Sequence, residues 1–507
     1  LGGGDSGGVD APTRLDAALA DGSADAVVPG DAPEDAGVPV DAGPTDLRPV
    51  DPPPPVTFPD TLGTLSIAVR TADGANAGTN DPMEFCLSAD RCFRLDTPDV
   101  DDFRVGELDI FHFEGLSIPR DEITRVELRT ASVGDNNDRF TAGCLEVRFD
   151  GEPVYCNDAI PGHIGIGPSV GEVPSFVDPA GLHEACTTCQ VGTLTHGPMQ
   201  GAPTPGGARI WVRTDATRRV ALRMARPGES LDDGPIVAWV DPRPEQDFNA
   251  ELAPTTLESD VSYQARLEVA GEVRGAPFTV RAAPDDRSTA LRVALGSCTR
   301  YDAQPAFAHV HSHAPDTFVF LGDSHYGNTS HIAAHRHHYR RFRAVPERAM
   351  TVRDAWTLAT WDDHDFVGNN STATCAGRDE AKRAFLEFFA TPDLPPGPEG
   401  IYHAQRIGPV EFFMMDSRTF RPEVGDPGRR CDEDPSAVDP GRAAGMFGPV
   451  QVAWLLDALE ASTAPFKFIA NGSRWTDEGS RDSWTSFLPA RDALFDAIDS
   501  RGIAGVV

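Results

Sequence analysis

The chain has 507 residues, 40% of them hydrophobic, so it can build real cores and has room for about three domains of ordinary size. Its formal charge of −34 argues against nucleic acid or an anionic membrane as partners and suits a surface that attracts divalent cations. No apolar run reaches the ~18–20 residues that a membrane-spanning helix needs. Residues 1–57 hold ten Asp, ten Pro and no aromatic residue. Such a stretch cannot bury enough apolar surface to offset its ordering entropy, which predicts a disordered, acidic linker. It reads either as a tether to a cell surface or as a plain spacer. The chain opens at Leu1 and closes on "GIAGVV"; both ends read as cut, with any signal peptide outside the sequence.

Residues 58–160 turn to short alternating runs, "TLSIAVRT", "MEFCLS", "ELDIFHFEG", "TRVELRTA" and "CLEVRFDG", separated by Gly, Asp and Asn turns. That pattern predicts a β-sandwich. The order of "VRTADGANAGTNDPMEFCL", "ELDIFHFEGL", "ITRVELRTAS" and "GCLEVRFDG" resembles the PLAT/LH2 family, which implies lipid or protein docking. Residues 161–189 read as a linker with a CxxC, and 190–284 as a second all-β, fibronectin- or immunoglobulin-like sandwich around "GGARIWVRT", "RRVALRMARP" and "VSYQARLEVAG". From 290 to 507 the period changes. Apolar runs such as "TFVFLGDSHY" and "AWTLATWDDHD" alternate with helical patterns such as "DEAKRAFLEFFA", which predicts an α/β domain with strands buried on both faces. The fold class is therefore multidomain: two all-β sandwiches, then an α/β domain.

Nine cysteines bear on the compartment. Cys86 with Cys92, Cys144 with Cys156, Cys186 with Cys189, and Cys375 with Cys431 are expected as disulfides in an oxidising environment. The "CTTC" at 186–189 lacks the second pair a zinc site needs. Cys298, in "LGSC", is left over.

Each buried strand of the last region except the final one ends in polar residues: Cys298, Asp323 with Tyr326, Asp362-Asp363-His364, Asp416 with Arg418, and Asn471. In "WDDHDFVGNN" alone, a solvated turn would serve as an explanation. Five such strand ends are harder to assign to turns, because α/β sites form outside the carboxyl ends of strands. A thiolate with a tyrosine points to iron, Fe(3+), since a phenol ionises near neutral pH only beside a strong Lewis acid. Asp363 and Asn471 offer oxygen alone and suit a harder second ion, Ca(2+) or another divalent ion. Asp323 could be shared between the two ions.

"ALGSC", "FLGDSHY", "WDDHDFVGNN", "MMDSRTFR", "FGPVQVAWLLDAL" and "FKFIANGSRW" follow one another as in the PhoD-like alkaline phosphatases, members of the calcineurin-like metallophosphoesterases. With "LTHGPMQGAPTPGGARIWVRT", the resemblance covers about residues 190–507. It implies Cys298, Asp323 and Tyr326 as iron ligands, Asp363 at a metal position, and His364 facing the leaving group. It also implies calcium beside the iron and hydrolysis of phosphomonoesters or phosphodiesters. The family's last block, a strand followed by "GDxH", would begin after Val507, so the resemblance implies further ligands beyond it and an inactive site in the chain as given.

Arg418 is a candidate phosphate donor, or else a structural partner of Asp416. Asn369 and Asn370 are candidate substrate contacts, or simply turn residues. "HRHHYRRFR" at 335–343 reads as a solvated helix face. The expected function is an extracellular phosphoric-ester hydrolase acting on small phosphate esters by metal-hydroxide attack. It would be secreted, periplasmic or surface-tethered, for instance as a bacterial lipoprotein. The competing function is surface docking or adhesion through the PLAT-like sandwich beside a degenerate phosphatase domain.

Overall fold

A computed structural model describes residues 60–71, 83–98, 100, 102–104, 108–125, 127–130, 140, 142–150, 152–157, 176–177, 193–215, 218–285, 290–300, 304–395, 399–476 and 480–507. The expected acidic linker and the Cys186–Cys189 pair lie outside them, as does the Cys156 side chain.

In the first region Leu108–Phe113, Leu65–Thr71, Ala142–Phe149 and Glu152–Asn157 pair in that order into one sheet. Phe176–Val177, Glu127–Thr130, Met83–Cys86 and Cys92–Leu95 form a second. Ile67, Val69, Leu145 and Val147 of the first sheet meet Phe85, Leu95 and Leu128 of the second in one core. The Cys86–Cys92 disulfide staples a hairpin whose two cysteines are register partners. Cys144 is also disulfide-bonded. The strand at 176–177 shows that this sheet reaches into the segment read as a linker from 161.

The second region differs from a self-contained sandwich. Strands β1 (Leu194–Thr204), β2 (Gly207–Thr214), β3 (Val220–Ala225), β4 (Ile236–Val240), β5 (Asn249–Leu252), β6 (Ser262–Val269) and β7 (Glu272–Arg281) enclose a core of Ile210, Val212, Leu222, Tyr263 and Leu267. Only β4-β3-β6-β7 forms a sheet of its own. β1 instead pairs in parallel with β10 (Trp356–Thr360), through Gln200↔Trp356 and Gly201↔Thr357. The β5-β2-β1 half thereby continues into β10, β9 (Thr317–Leu321) and β8 (Val293–Gly296) as one six-stranded sheet. An open sheet edge is satisfied by another strand, and local alternation carries no sign of so distant a partner.

In the last region Phe318 and Phe320 of β9 face a core with Phe307 of α1 (Pro305–Ser312), Tyr339 and Phe342 of α2 (Ile332–Arg343), Val352 of α3 (Pro346–Asp354) and Phe385 of α5 (Arg378–Phe388). On the opposite face Val319 and Leu358 meet Phe412 and Met414 of β12 (Val410–Met414) and Ala470 of β13 (Phe466–Ala470). β12 lies between β11 (His403–Ile407) and β13 in a three-stranded sheet. Helices α6 (Gly448–Ala461) and α7 (Leu488–Ser500) cover its outer side through Leu455, Leu459 and Leu494. Strands sandwiched in this way need apolar side chains on both faces, which accounts for the continuous runs "TFVFL" and "WTLAT".

α2 is not a solvated face. His335, Arg336, His338, Tyr339 and Arg343 are all buried. Arg336 pairs with Glu387, while Arg343 donates to Phe388 O at 2.6 Å and lies 4.2 Å from the Phe389 ring centroid. The charges that suggested solvent are neutralised or stacked inside.

Candidate metal centre

Three strand ends of the six-stranded sheet converge. After β8, Cys298 adopts a φ of +56° and donates its N–H to Gly322 O at 3.2 Å. After β9, Gly322 and Asp323 have φ of +86° and +53°. A side chain at Gly322 could not fit, since its Cβ would lie 2.4 Å from the Asp362 nitrogen. After β10 the chain turns into the single-turn helix α4 (Asp363–Phe366) through a capping box between Asp362 and Asp365. Asn328 and Asn370, which border the same loops, also have positive φ, at +49° and +55°. Non-glycine residues held in this region gather where surrounding structure fixes them, often at functional sites.

The side chains meet around Asp323. Its Oδ2 accepts from the Tyr326 hydroxyl at 3.0 Å and lies 3.5 Å from Cys298 Sγ. Its Oδ1 accepts the His364 N–H at 3.4 Å, and ligand-capable atoms of Asp323, Asp363 and His364 all lie within 4.8 Å of one another. Asp363 is oriented by the Asn370 N–H, which donates to Oδ2 at 2.7 Å. The Tyr326 and His364 rings pack with centroids 4.1 Å apart, and His364 Nδ1 lies 2.6 Å from Asn328 Oδ1.

Burial and neighbouring charge push these acids toward their protonated forms. Burial, then the charge of Asp363, raises the Asp323 carboxyl; burial, then Asp323, raises the Tyr326 phenol; and burial raises the Cys298 thiol. Burial, followed by the charge of Asp323, raises Asp365 to about 8. A cation among these groups reverses that preference, since it stabilises each anionic form. The donor set of thiol, phenol, carboxylates and imidazole therefore fits a metal centre on geometry and chemistry together.

Arg418 does not reach toward a substrate, and Asp416 is not its side-chain partner. It is fully buried, with its guanidinium shared among Asp362, Asp482, Ser371 O and Ser473 Oγ. All five N–H donors are engaged, leaving none for a phosphate. Asp362, Asp363 and Asp482 also gather ligand-capable atoms, but Arg418 sits among them, 2.5 Å from Asp362 and 2.8 Å from Asp482. That second acidic group holds a guanidinium. Asp416 accepts from the backbone N–H of Arg418 at 2.9 Å, from Trp361 Nε1 and from the Thr419 hydroxyl.

The amides of Asn369 and Asn370 are engaged as well, with Gly428 O at 2.6 Å and Asp426 Oδ2 at 3.0 Å. These bonds clasp the 426–430 loop. Asn471 follows β13 and accepts the Ser473 N–H through Oδ1 at 3.0 Å. Sequence reasoning missed Asp482 and Asn328, which lie in irregular loops without periodicity. Asp365 was open to recognition, three residues after an Asp N-cap.

The family model for PhoD-like phosphatases matches residues 293–507. This region carries a PhoD-like phosphatase domain. The chain is also similar to a solved structure of PhoD at 18% identity and a TM-score of 0.52, covering 63% of this chain and 72% of that one. That is a likeness of fold. A purple acid phosphatase from seeds of yellow lupin (Lupinus luteus) aligns at 9% identity over 80% of this chain and 66% of its own, with a TM-score of 0.40. No curated protein matches the chain. The PhoD-like domain begins at β8 and contains every residue of the strand-end cluster.

Proposed function

We propose that the protein is a metal-dependent hydrolase of small phosphoric esters. The observation that carries this reading is the convergence of Cys298, Asp323, Tyr326, Asp363 and His364 at adjoining strand ends of a PhoD-like domain. Cys298, Asp323 and Tyr326 would hold Fe(3+), with Asp363 and Asn471 toward a harder ion such as Ca(2+) and Asp323 available to both. When bound, the metals supply Lewis acidity and an activated water.

The chain's own residues do the rest. Asp323 and Asp363 are fixed by backbone N–H groups, which keeps the donors in place as an ester enters. Asn328 Oδ1, 2.6 Å from His364 Nδ1, orients the ring and leaves Nε2 to pass a proton to the leaving ester oxygen. Tyr326, packed on His364, holds that ring in its orientation.

The disulfides Cys86–Cys92 and Cys375–Cys431 support a secreted, periplasmic or surface-exposed setting, because such bonds persist in oxidising compartments. Among the described residues no helix is long and apolar enough to cross a membrane. The test is turnover of p-nitrophenyl phosphate and bis(p-nitrophenyl) phosphate by the purified full-length protein. Hydrolysis of at least one, abolished in Asp323→Asn, supports the reading; rates equal to that variant's overturn it.

A further inference from the structure

A second metal-capable feature lies away from the strand-end cluster. His309 and His313 stand four residues apart at the carboxyl end of α1, both exposed, with their Nε2 atoms 3.3 Å apart and ring planes at 86°. Two imidazole nitrogens bound at ~2.0–2.1 Å to one tetrahedral ion stand roughly 3.3–3.4 Å apart, so the pair already has the bite of a chelate. As a hydrogen bond between exposed rings, the same contact would contribute little, since water competes for both nitrogens.

The pair sits on a fixed support. Phe307 anchors α1 in the core, the Ser312 hydroxyl donates to His309 O at 2.7 Å, and Arg292 donates to His313 O at 2.8 Å. Residues held by such contacts need little reordering to bind. The carboxyl end of a helix also favours a cation. The third histidine of α1, His311, is engaged elsewhere, 2.9 Å from Asp354 Oδ2. Because α1 ends just before β9 starts, the pair lies toward the amino ends of the strands, and the candidate catalytic residues follow their carboxyl ends.

We propose that His309 and His313 form a surface chelate for a borderline-soft divalent ion such as Zn2+. Neutral imidazole Nε2 atoms fill two positions of a tetrahedral site, and water fills the other two. An ion held by two protein ligands exchanges readily, which sets this site apart from a closed structural one.

Equilibrium dialysis against Zn2+ tests it on the full chain, with His309→Ala, His313→Ala and His311→Ala checked for folding by circular dichroism. The wild type and His311→Ala are expected to bind one more equivalent of Zn2+ than either His309→Ala or His313→Ala. Equal stoichiometry in all four proteins overturns the proposal, as does loss in only one of the two ligand variants or an equal loss in His311→Ala. Substitution of each ligand by Gln, which keeps a polar surface, should reproduce the alanine result.

Discussion

The Tyr326 hydroxyl donates to Asp323 Oδ2 at 3.0 Å, three residues along the loop that leaves β9. The pair joins the candidate phenolate ligand to the carboxylate at the centre of the cluster. A phenolate on Fe(3+) absorbs visible light by charge transfer, so the iron-loaded protein should be coloured. Tyr326→Phe removes the oxygen and keeps the ring packed on His364. The band should vanish with far-ultraviolet circular dichroism unchanged. A band that survives in Tyr326→Phe assigns the colour to another ligand.

His364 is expected to act on the leaving group rather than to hold the fold. His364→Ala should lower turnover of a p-nitrophenyl ester by about 10²–10⁴-fold. Metal content by elemental analysis should stay at the wild-type level. A loss no larger than that of His337→Ala, on the partly exposed side of α2, removes the proton-transfer role.

Arg418 should matter for stability more than for substrate affinity. Replacing it with Met leaves the largely buried Asp362 without its cation and Asp482 with Arg421 alone, which costs about 3–5 kcal/mol. Urea unfolding should show a lowered midpoint. Arg418→Lys should recover only part of the loss, because an ammonium cannot replace a fork shared by two carboxylates. A midpoint unchanged in Arg418→Met contradicts the structural role.

His403 predicts acid sensitivity. It is buried, with Nδ1 2.9 Å from Ile401 O, and burial lowers its pKa from 6.5 to about 4. The unfolded chain then takes up a proton before the folded one does. Stability from this group is complete above about pH 6.5 and falls as pH drops toward 4, by about 3 kcal/mol in all. His403→Gln should flatten that part of the pH profile in urea titrations. A wild-type profile that is level between pH 7 and 4 rules the linkage out.

The elements that carry chemistry were legible where a polar residue ends an apolar run. Cys298, Asp323 and Asp363 stand out in that way, since a buried strand must terminate before its chain can expose polar groups. Partners distant in sequence left no such mark. Arg418 meets Asp482 across 64 residues, and β1 meets β10 across more than twice that span. Composition also misled in α2, where arginines and histidines read as solvated but several are buried, Arg336 on Glu387 and Arg343 on the Phe389 ring and the Phe388 carbonyl. The strand at Phe176–Val177 was hidden because two residues are too few for a period.

The strand-end cluster is expected to hydrolyse phosphoric esters through bound metal. The deciding experiment is p-nitrophenyl phosphate and bis(p-nitrophenyl) phosphate turnover by the purified full-length protein before chelation, after chelation verified by elemental analysis, and after readdition of iron and calcium. Activity should disappear with the metals, return with them, and stay absent in Asp323→Asn throughout. Full turnover by the verified metal-free protein, or wild-type turnover by Asp323→Asn, would contradict the account.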